Sequence, residues 1–325
     1  MRLIRNLLIL VLVVGAAALG WMVLKARQDA RESVPILTYH YFSSDQYPHP
    51  QVPPGLADYY IVSERDFERQ LDYLAAHGYH TVSFTDLCRA TRYSDLPAKP
   101  VVVTVDHEAL DRLRIAVPAL ARRHMTATFF VVTDWIGLPG NLGAADLKAM
   151  VAAGMDVQSH TKSHPSMNEV SRERQALELS ASKRELEAMT GRPVLTLAPP
   201  GGKWNQVTVE ECRRAGYIGF RDTDPGLSHV GDYVYHASTL PAHMSDADFA
   251  RLFSPGHVAT SQFVQTLAHL AQRVLGARYV RVRAFLLKLG LGKAVHSPRG
   301  RLLVLGGMVL ALLLLISALS PGRRR

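Results

Sequence analysis

The sequence predicts an α/β domain built on a parallel sheet, either a barrel or an open sheet, with a membrane-spanning helix at each end of the chain. Strand-like apolar runs alternate with amphipathic helical stretches through the middle of the chain. Two uninterrupted apolar runs lie near its ends, and polar clusters follow several of the strands. A repeated strand–helix order places strands parallel.

The 325 residues are 48% apolar and 20% charged, ordinary for one domain of up to about 250 residues plus extra segments. Leu7 to Leu24 is an apolar run of 18 residues behind Arg2 and Arg5, and Leu302 to Leu319 is another of equal length interrupted only by Ser317. Both reach the length of a membrane-crossing helix. Ala16, Ala17 and Ala18 would suit cleavage of a signal peptide, but the first run continues through Trp21, Met22, Val23 and Leu24, so an uncleaved anchor is expected.

Two spans put both termini on one side, and Arg323, Arg324 and Arg325 mark that side as cytoplasmic by the inward bias of basic residues. The main domain is then expected to be extracytoplasmic, at a bacterial inner or cell membrane. The expected organisation is an anchor and linker over 1–32, a catalytic domain over 33–255, a basic amphipathic juxtamembrane segment over 256–300, and a second span with a basic tail over 301–325.

Arg273, Arg278, Arg281, Arg283, Lys288, Lys293, Arg299 and Arg301 crowd the juxtamembrane segment and oppose that orientation locally. They also explain much of the net charge of +9, so the charge is no nucleic-acid footprint. Interleaved with Val280, Val282, Phe285, Leu286 and Leu289, they suit a helix lying on anionic membrane lipid. No zinc-finger or RNA-binding motif is present, so nucleic acid is not an expected partner. Cys88 and Cys212, the only cysteines, are too far apart in sequence for a metal-binding pair and read as core residues.

In chain order, Val34 to Tyr39 reads as a strand, and Ser63 caps a helix carrying Phe67, Leu71 and Leu74. Thr85 caps a short helix. Val101 to Val105 is a strand, and Ala109 to His124 is a helix with Leu113, Val117 and Leu120 on one face. Then follow strand Thr126 to Val132, helix Ala144 to Ala153, strand Met155 to Gln158, helix Ser171 to Met189, strand Val194 to Leu197, helix Thr208 to Ala215 and strand Tyr217 to Phe220. Tyr47 to Leu56, with four prolines and a glycine, is a loop.

The chemistry-bearing residues follow the strands. Asp106, His107 and Glu108 close one strand; His160 and His164 follow another. Tyr39 and His40, Pro199, Pro200, Gly201 and Gly202, and Asp222 to Asp224 come after others. In a barrel these loops would share one mouth. With 14 histidines in the chain, a pair spaced four apart arises by chance roughly 0.6 times, so placement carries the weight. If the strand end turns into a helix, His160 and His164 share a face and can meet one cation; neutral imidazole suits zinc or a similar divalent ion, with a third ligand from elsewhere.

At these residues, from about Val34 to Phe253, the chain resembles the polysaccharide deacetylases of carbohydrate esterase family four. His160-Thr-Lys-Ser-His164 looks like the family's metal-binding histidine pair, Leu37-Thr-Tyr-His-Tyr-Phe42 and Phe67-Glu-Arg-Gln-Leu-Asp-Tyr-Leu-Ala-Ala-His-Gly-Tyr79 look like the entry strand and helix of its membrane-linked exopolysaccharide branch, and Thr126-Ala-Thr-Phe-Phe-Val131 is similarly family-like. The resemblance implies a distorted (β/α) barrel of about seven strands, flanked here by the two transmembrane helices. It implies hydrolytic removal of N-acetyl groups from an N-acetylglucosamine-containing polysaccharide, with a divalent metal, expected to be zinc, as cofactor.

By the same resemblance Asp106 is the catalytic base and His243, in Leu240-Pro-Ala-His243, the proton donor, with His236 and His229 as rivals. His107 joins His160 and His164 as metal ligands, and Pro199, Pro200, Gly201 and Gly202 form the substrate or oxyanion loop. Glu108 is an alternative ligand or base, and His40 a further site candidate. Two motifs depart from the family pattern. Thr104-Val-Asp-His-Glu108 stands where Thr-Phe-Asp-Asp-Gly is usual, and Ala198-Pro-Pro-Gly-Gly202 lacks the usual arginine and aromatic residue. Imidazole in place of carboxylate leaves one more positive charge at the metal, which lowers the pKa of Asp106 and weakens it as a base. The alternatives are a silent polysaccharide-binding domain and a membrane-anchored scaffold working with envelope biosynthesis proteins.

Overall fold

The computed structural model describes residues 32–47, 57–224 and 226–254. Both apolar end runs, the basic juxtamembrane segment and most of the proline-rich loop lie outside them. Among the described residues no helix is long and apolar enough to cross a membrane.

Among the described residues eleven strands follow one another: β1 Ile36–Tyr39, β2 Tyr41–Ser43, β3 Ile61–Ser63, β4 His80–Val82, β5 Pro100–Asp106, β6 Thr128–Val131, β7 Asp156–Ser159, β8 Thr196–Leu197, β9 Gly219–Asp222, β10 Val234–His236 and β11 Ser238–Thr239. Nine of them form one sheet along the path β10-β9-β8-β7-β6-β5-β1-β11, with β4 also against β5; β2 and β3 pair separately. Every pairing is parallel. The two ends of the path, β10 and β11, are separated in sequence only by Ala237. The backbone itself therefore spans the seam, giving a parallel α/β near-barrel.

The nine strands exceed the seven expected because β4, β10 and β11 are two or three residues long, too short for a hydrophobic period to register. β5 is the opposite case. Its run Pro-Val-Val-Val-Thr-Val-Asp is buried throughout, as a parallel strand covered on both faces must be.

Alternation along the strands divides the core. Val101, Val103, Val105, Phe129, Val131, Val157 and Phe220 pack with Phe67, Leu71, Leu74, Leu120, Leu179 and Leu186 of the surrounding helices. Ile36, Val82, Val102, Phe130, Ala198 and Tyr235 form a separate cluster on the inner face. The side-chain period of two then carries Thr104, Asp106, His160 and Arg221 to that inner face as well. The polar residues of the mouth are thus placed by the same parity that builds the apolar floor below them.

The helix Glu64–Ala76 starts as expected, with Ser63 Oγ accepting the Asp66 N–H at 3.0 Å. Phe84–Arg89 is capped by Ser83 rather than Thr85, whose hydroxyl instead donates to Asp156 at 2.8 Å. The helix expected over 109–124 is shorter: a π-helical turn Arg112–Ala116 runs into the α-helix Val117–Ala121. The widened turn coincides with Arg112, whose side chain is fully buried and reaches the mouth. Cys88 and Cys212 are both free thiols.

Candidate metal centre

His107 leaves β5 with its N–H bonded to Phe130 O at 3.0 Å and lies among His40, Tyr41, Trp135, His160 and His164, all with ring centroids within 6 Å of its own. His107, His160 and His164 each offer a ring nitrogen, all within 4.8 Å of one another. The Nε2 atoms of His107 and His164 are 3.2 Å apart. Two nitrogens bound tetrahedrally to one zinc at ~2.05 Å stand about 3.3 Å apart, so this spacing fits a shared cation. His160 Nδ1 faces Ala198 O at 2.6 Å, which places the proton on Nδ1 and leaves Nε2 as a lone-pair donor. His107 Nδ1, by contrast, is buried without a partner among the described residues.

Burial keeps all three rings neutral. It pushes the His160 pKa down to about 3 and the His107 pKa well below the usual range, with His160 adding repulsion, and it lowers that of His164. Neutral imidazole is the ligating form.

His160 and His164 do not sit on a helical turn, as their spacing suggested. The segment between them is a loop in which Thr161 and His164 take φ values of 70° and 65°, and His107 one of 69°. Left-handed backbone is unusual for residues other than glycine, most of all for a β-branched threonine. Such conformations persist where surrounding structure enforces them and cluster at functional sites.

Asp106 is 3% exposed. Its Oδ1 accepts a hydrogen bond from Arg221 Nη2, while its backbone carbonyl accepts from Arg112 Nη2 at 2.8 Å. Burial alone would raise its pKa, but Arg221, with His160 and His40, holds the carboxyl well below the usual carboxylate range. Arg221 was not singled out from sequence. It reaches Asp106 from β9, and no motif announced it. Its Nε and Nη1 have no partner among the described residues, and Phe130 lies beneath it at 5.0 Å.

His40 lies at the mouth with Nε2 3.8 Å from Asp106 Oδ2 and its ring 4.7 Å from that of Tyr60. Burial lowers its pKa to about 4. His243 is exposed on the loop after β11, on the side of Asp66. Glu108 stands outside the three-histidine group. Its Oε2 accepts the Val132 N–H at 2.9 Å, and burial pushes its pKa up to about 7. Of the two sequence rivals for proton donor, His236 Nδ1 bonds Asp222 Oδ1 at 2.9 Å, and Asp222 also accepts from Trp204 Nε1 at 3.1 Å. His229 lies 3.8 Å from Asp232.

The loop Pro199–Gly202 begins beside His160 through Ala198 O. Its two prolines have no N–H, and the Gly202 N–H is taken by Pro199 O at 2.9 Å. Gly201 therefore carries the loop's remaining donor. Gly202 must be glycine: its φ is +65°, and a Cβ there would lie 2.4 Å from Thr223 Oγ1 and 2.7 Å from Thr223 N.

Fold and site together define a parallel α/β near-barrel with a three-histidine centre at its strand ends. Residues 93–219 match the sequence profile of the polysaccharide deacetylase family. YxkH of Bacillus subtilis, a polysaccharide deacetylase by its name, is 26% identical over 219 residues, covering 66% of this chain and 74% of its own. The solved Streptococcus pyogenes deacetylase PplD in complex with acetate superposes with a TM-score of 0.62 at 28% identity, over 69% of this chain and 99% of that one. A polysaccharide deacetylase from Bacillus cereus gives 0.60 at 26% identity, over 68% and 69%. Residues 93–219 thus match a polysaccharide deacetylase domain, and the fold around them is similar to that of solved deacetylases.

Proposed function

We propose that the chain is a metal-dependent hydrolase that removes N-acetyl groups from an N-acetylglucosamine-containing polysaccharide at the cell envelope. The observation that carries this reading is the convergence of His107, His160 and His164 beside the buried Asp106 and His40. Those three histidines would hold a divalent cation, with zinc suited to an all-imidazole donor set, and when bound it supplies Lewis acidity toward the amide carbonyl and acidifies water.

The rest belongs to this chain's own residues. Asp106, kept ionised and oriented by Arg221, accepts a proton from the attacking water. His40, whose Nε2 lies 3.8 Å from Asp106 Oδ2, gives a proton to the departing nitrogen and regains one from Asp106 once substrate draws the two groups together. The water oxygen joins the acetyl carbon, the carbon–nitrogen bond breaks, the amine gains the proton and acetate leaves. The Gly201 N–H is the loop's donor toward developing charge on the carbonyl oxygen. His243 is the rival donor.

In the same reading the two apolar end runs anchor the domain, the basic segment 256–300 rests on anionic lipid, and residues 33–255 work outside the cytoplasm beside envelope biosynthesis proteins. Polysaccharide binding without catalysis is favoured by the buried Arg221–Asp106 ion pair, which holds the carboxyl below its usual range and so weakens it as a base. The deciding experiment measures bound zinc in the purified protein and acetate release from N-acetylglucosamine oligomers across several divalent metals. Neither metal nor acetate would sink the enzyme reading. Oligosaccharide binding without either would leave a binding domain, and no binding would leave a scaffold.

A further inference from the structure

The loop that carries His160 and His164 holds two residues in left-handed backbone, and each such residue costs on the order of 1–3 kcal/mol unless its surroundings compensate. All of its amide hydrogens are satisfied. His160 N–H bonds Val131 O at 2.8 Å, Thr161 N–H bonds Ser159 Oγ at 3.1 Å, and His164 N–H bonds Thr161 Oγ1 at 3.1 Å. The two central amides, of Lys162 and Ser163, have a single acceptor between them. It is Glu178 Oε2, at 2.9 and 2.8 Å.

Glu178 lies on the helix Arg172–Thr190 with its side chain fully buried. Its second oxygen, Oε1, accepts the Ser163 hydroxyl at 2.6 Å and pairs with Arg174 at 2.6 Å. Each of these contacts to the carboxylate comes from the histidine loop or from the arginine that balances its charge. A neutral amide of the same length replaces it only in part: with its oxygen on the Lys162 and Ser163 amides, its NH2 would face the Arg174 guanidinium, which can only donate, and the charge that Arg174 balances would be gone.

We propose that Glu178 is a positioning residue for the cation site: it holds the 161–164 backbone in the strained turn that brings His164 to within reach of His107 and His160. The proposal rests on the metal-centre reading above. It acts through the loop, not by ligation, since Glu178 stands outside the three-histidine group.

The test uses the full-length protein with Glu178→Gln, which keeps length and loses charge, and Glu178→Asp, which keeps charge and loses reach. Zinc affinity is read by competition with a chromophoric chelator, and amide hydrogen exchange at Lys162 and Ser163 is read without metal. Both variants are expected to bind zinc about 10–100-fold more weakly, the usual effect of losing an outer support of a metal ligand, with faster exchange confined to the loop. A merely structural role would lower the melting temperature and leave the affinity of the folded protein within twofold of wild type, and that result overturns the proposal. If wild type binds no zinc, the metal-centre reading fails, and the exchange arm decides alone: unchanged protection at Lys162 and Ser163 in both variants overturns the positioning role, and selective loss of it supports the role.

Discussion

Arg221→Met removes the cation that keeps Asp106 ionised inside the near-barrel. The two side chains are 0% and 4% exposed, and removing one partner of so buried a pair costs about 3–5 kcal/mol because the other charge is left unpaired. The pH dependence follows from the direction of the shift. In wild type the Asp106 pKa is depressed by Arg221, so the pair stabilises the fold above the unfolded value of about 3.9 and this is lost only as pH falls below it. In the variant the largest charge opposing burial is gone and the folded pKa rises. The penalty is then full at neutral pH and fades as the medium approaches the unfolded pKa, where the carboxyl is protonated in both states.

Urea unfolding followed by tryptophan fluorescence measures this for wild type, Arg221→Met, Asp106→Asn and the double variant. The double variant is expected to be more stable than the two single losses sum to, with a coupling energy of about 2 kcal/mol or more. Coupling below about 0.5 kcal/mol, or an Arg221→Met penalty that does not change between neutral and acid pH, refutes the reasoning.

His107→Asp should keep zinc bound and hold acetate release at or above the wild-type rate, because a carboxylate ligates the same cation and lowers the positive charge next to Asp106; zinc lost contradicts the ligand assignment, and zinc retained with release abolished contradicts the charge argument. His40→Ala should lower kcat about 10²–10⁴-fold and His243→Ala should leave it near wild type, and the reverse pattern transfers the donor role to His243. His236 has its pKa raised by the Asp222 hydrogen bond, so its contribution to stability is present below about pH 6.5 and lost as pH rises through the raised value. The stability gap between wild type and His236→Gln should therefore narrow on going from mildly acid to alkaline buffer, and a constant gap removes the ion pair from the account.

Long elements with many repeats of their period were legible in the sequence. β5 and the helix Arg172–Thr190 fall within a residue or two of their expected bounds, since a continuous apolar run, or nineteen residues rich in helix formers between the Ser171 cap and Gly191, leaves little ambiguity. Strands of two or three residues such as β4, β10 and β11 carry no period of their own and exist because a neighbour's edge is free to pair. The π-helical turn at Arg112 was equally hidden, because an added residue per turn follows from where a buried side chain must reach.

At the site, the sequence alone determined the ligand-type residues. Asp106, His107, His160 and His164 are strand-end residues whose identity and position after apolar runs could be read directly. Only the tertiary structure decided who their neighbours are. Arg221 meets Asp106 from a position 115 residues on, His40 comes to the mouth from the first strand while His243 lies exposed beside Asp66, and Glu178 reaches the histidine loop from the following helix. The physical reason is one of range: side-chain chemistry and strand parity are local and written in order along the chain, whereas ion pairs and shared lone pairs depend on which distant strands and helices are brought together by packing.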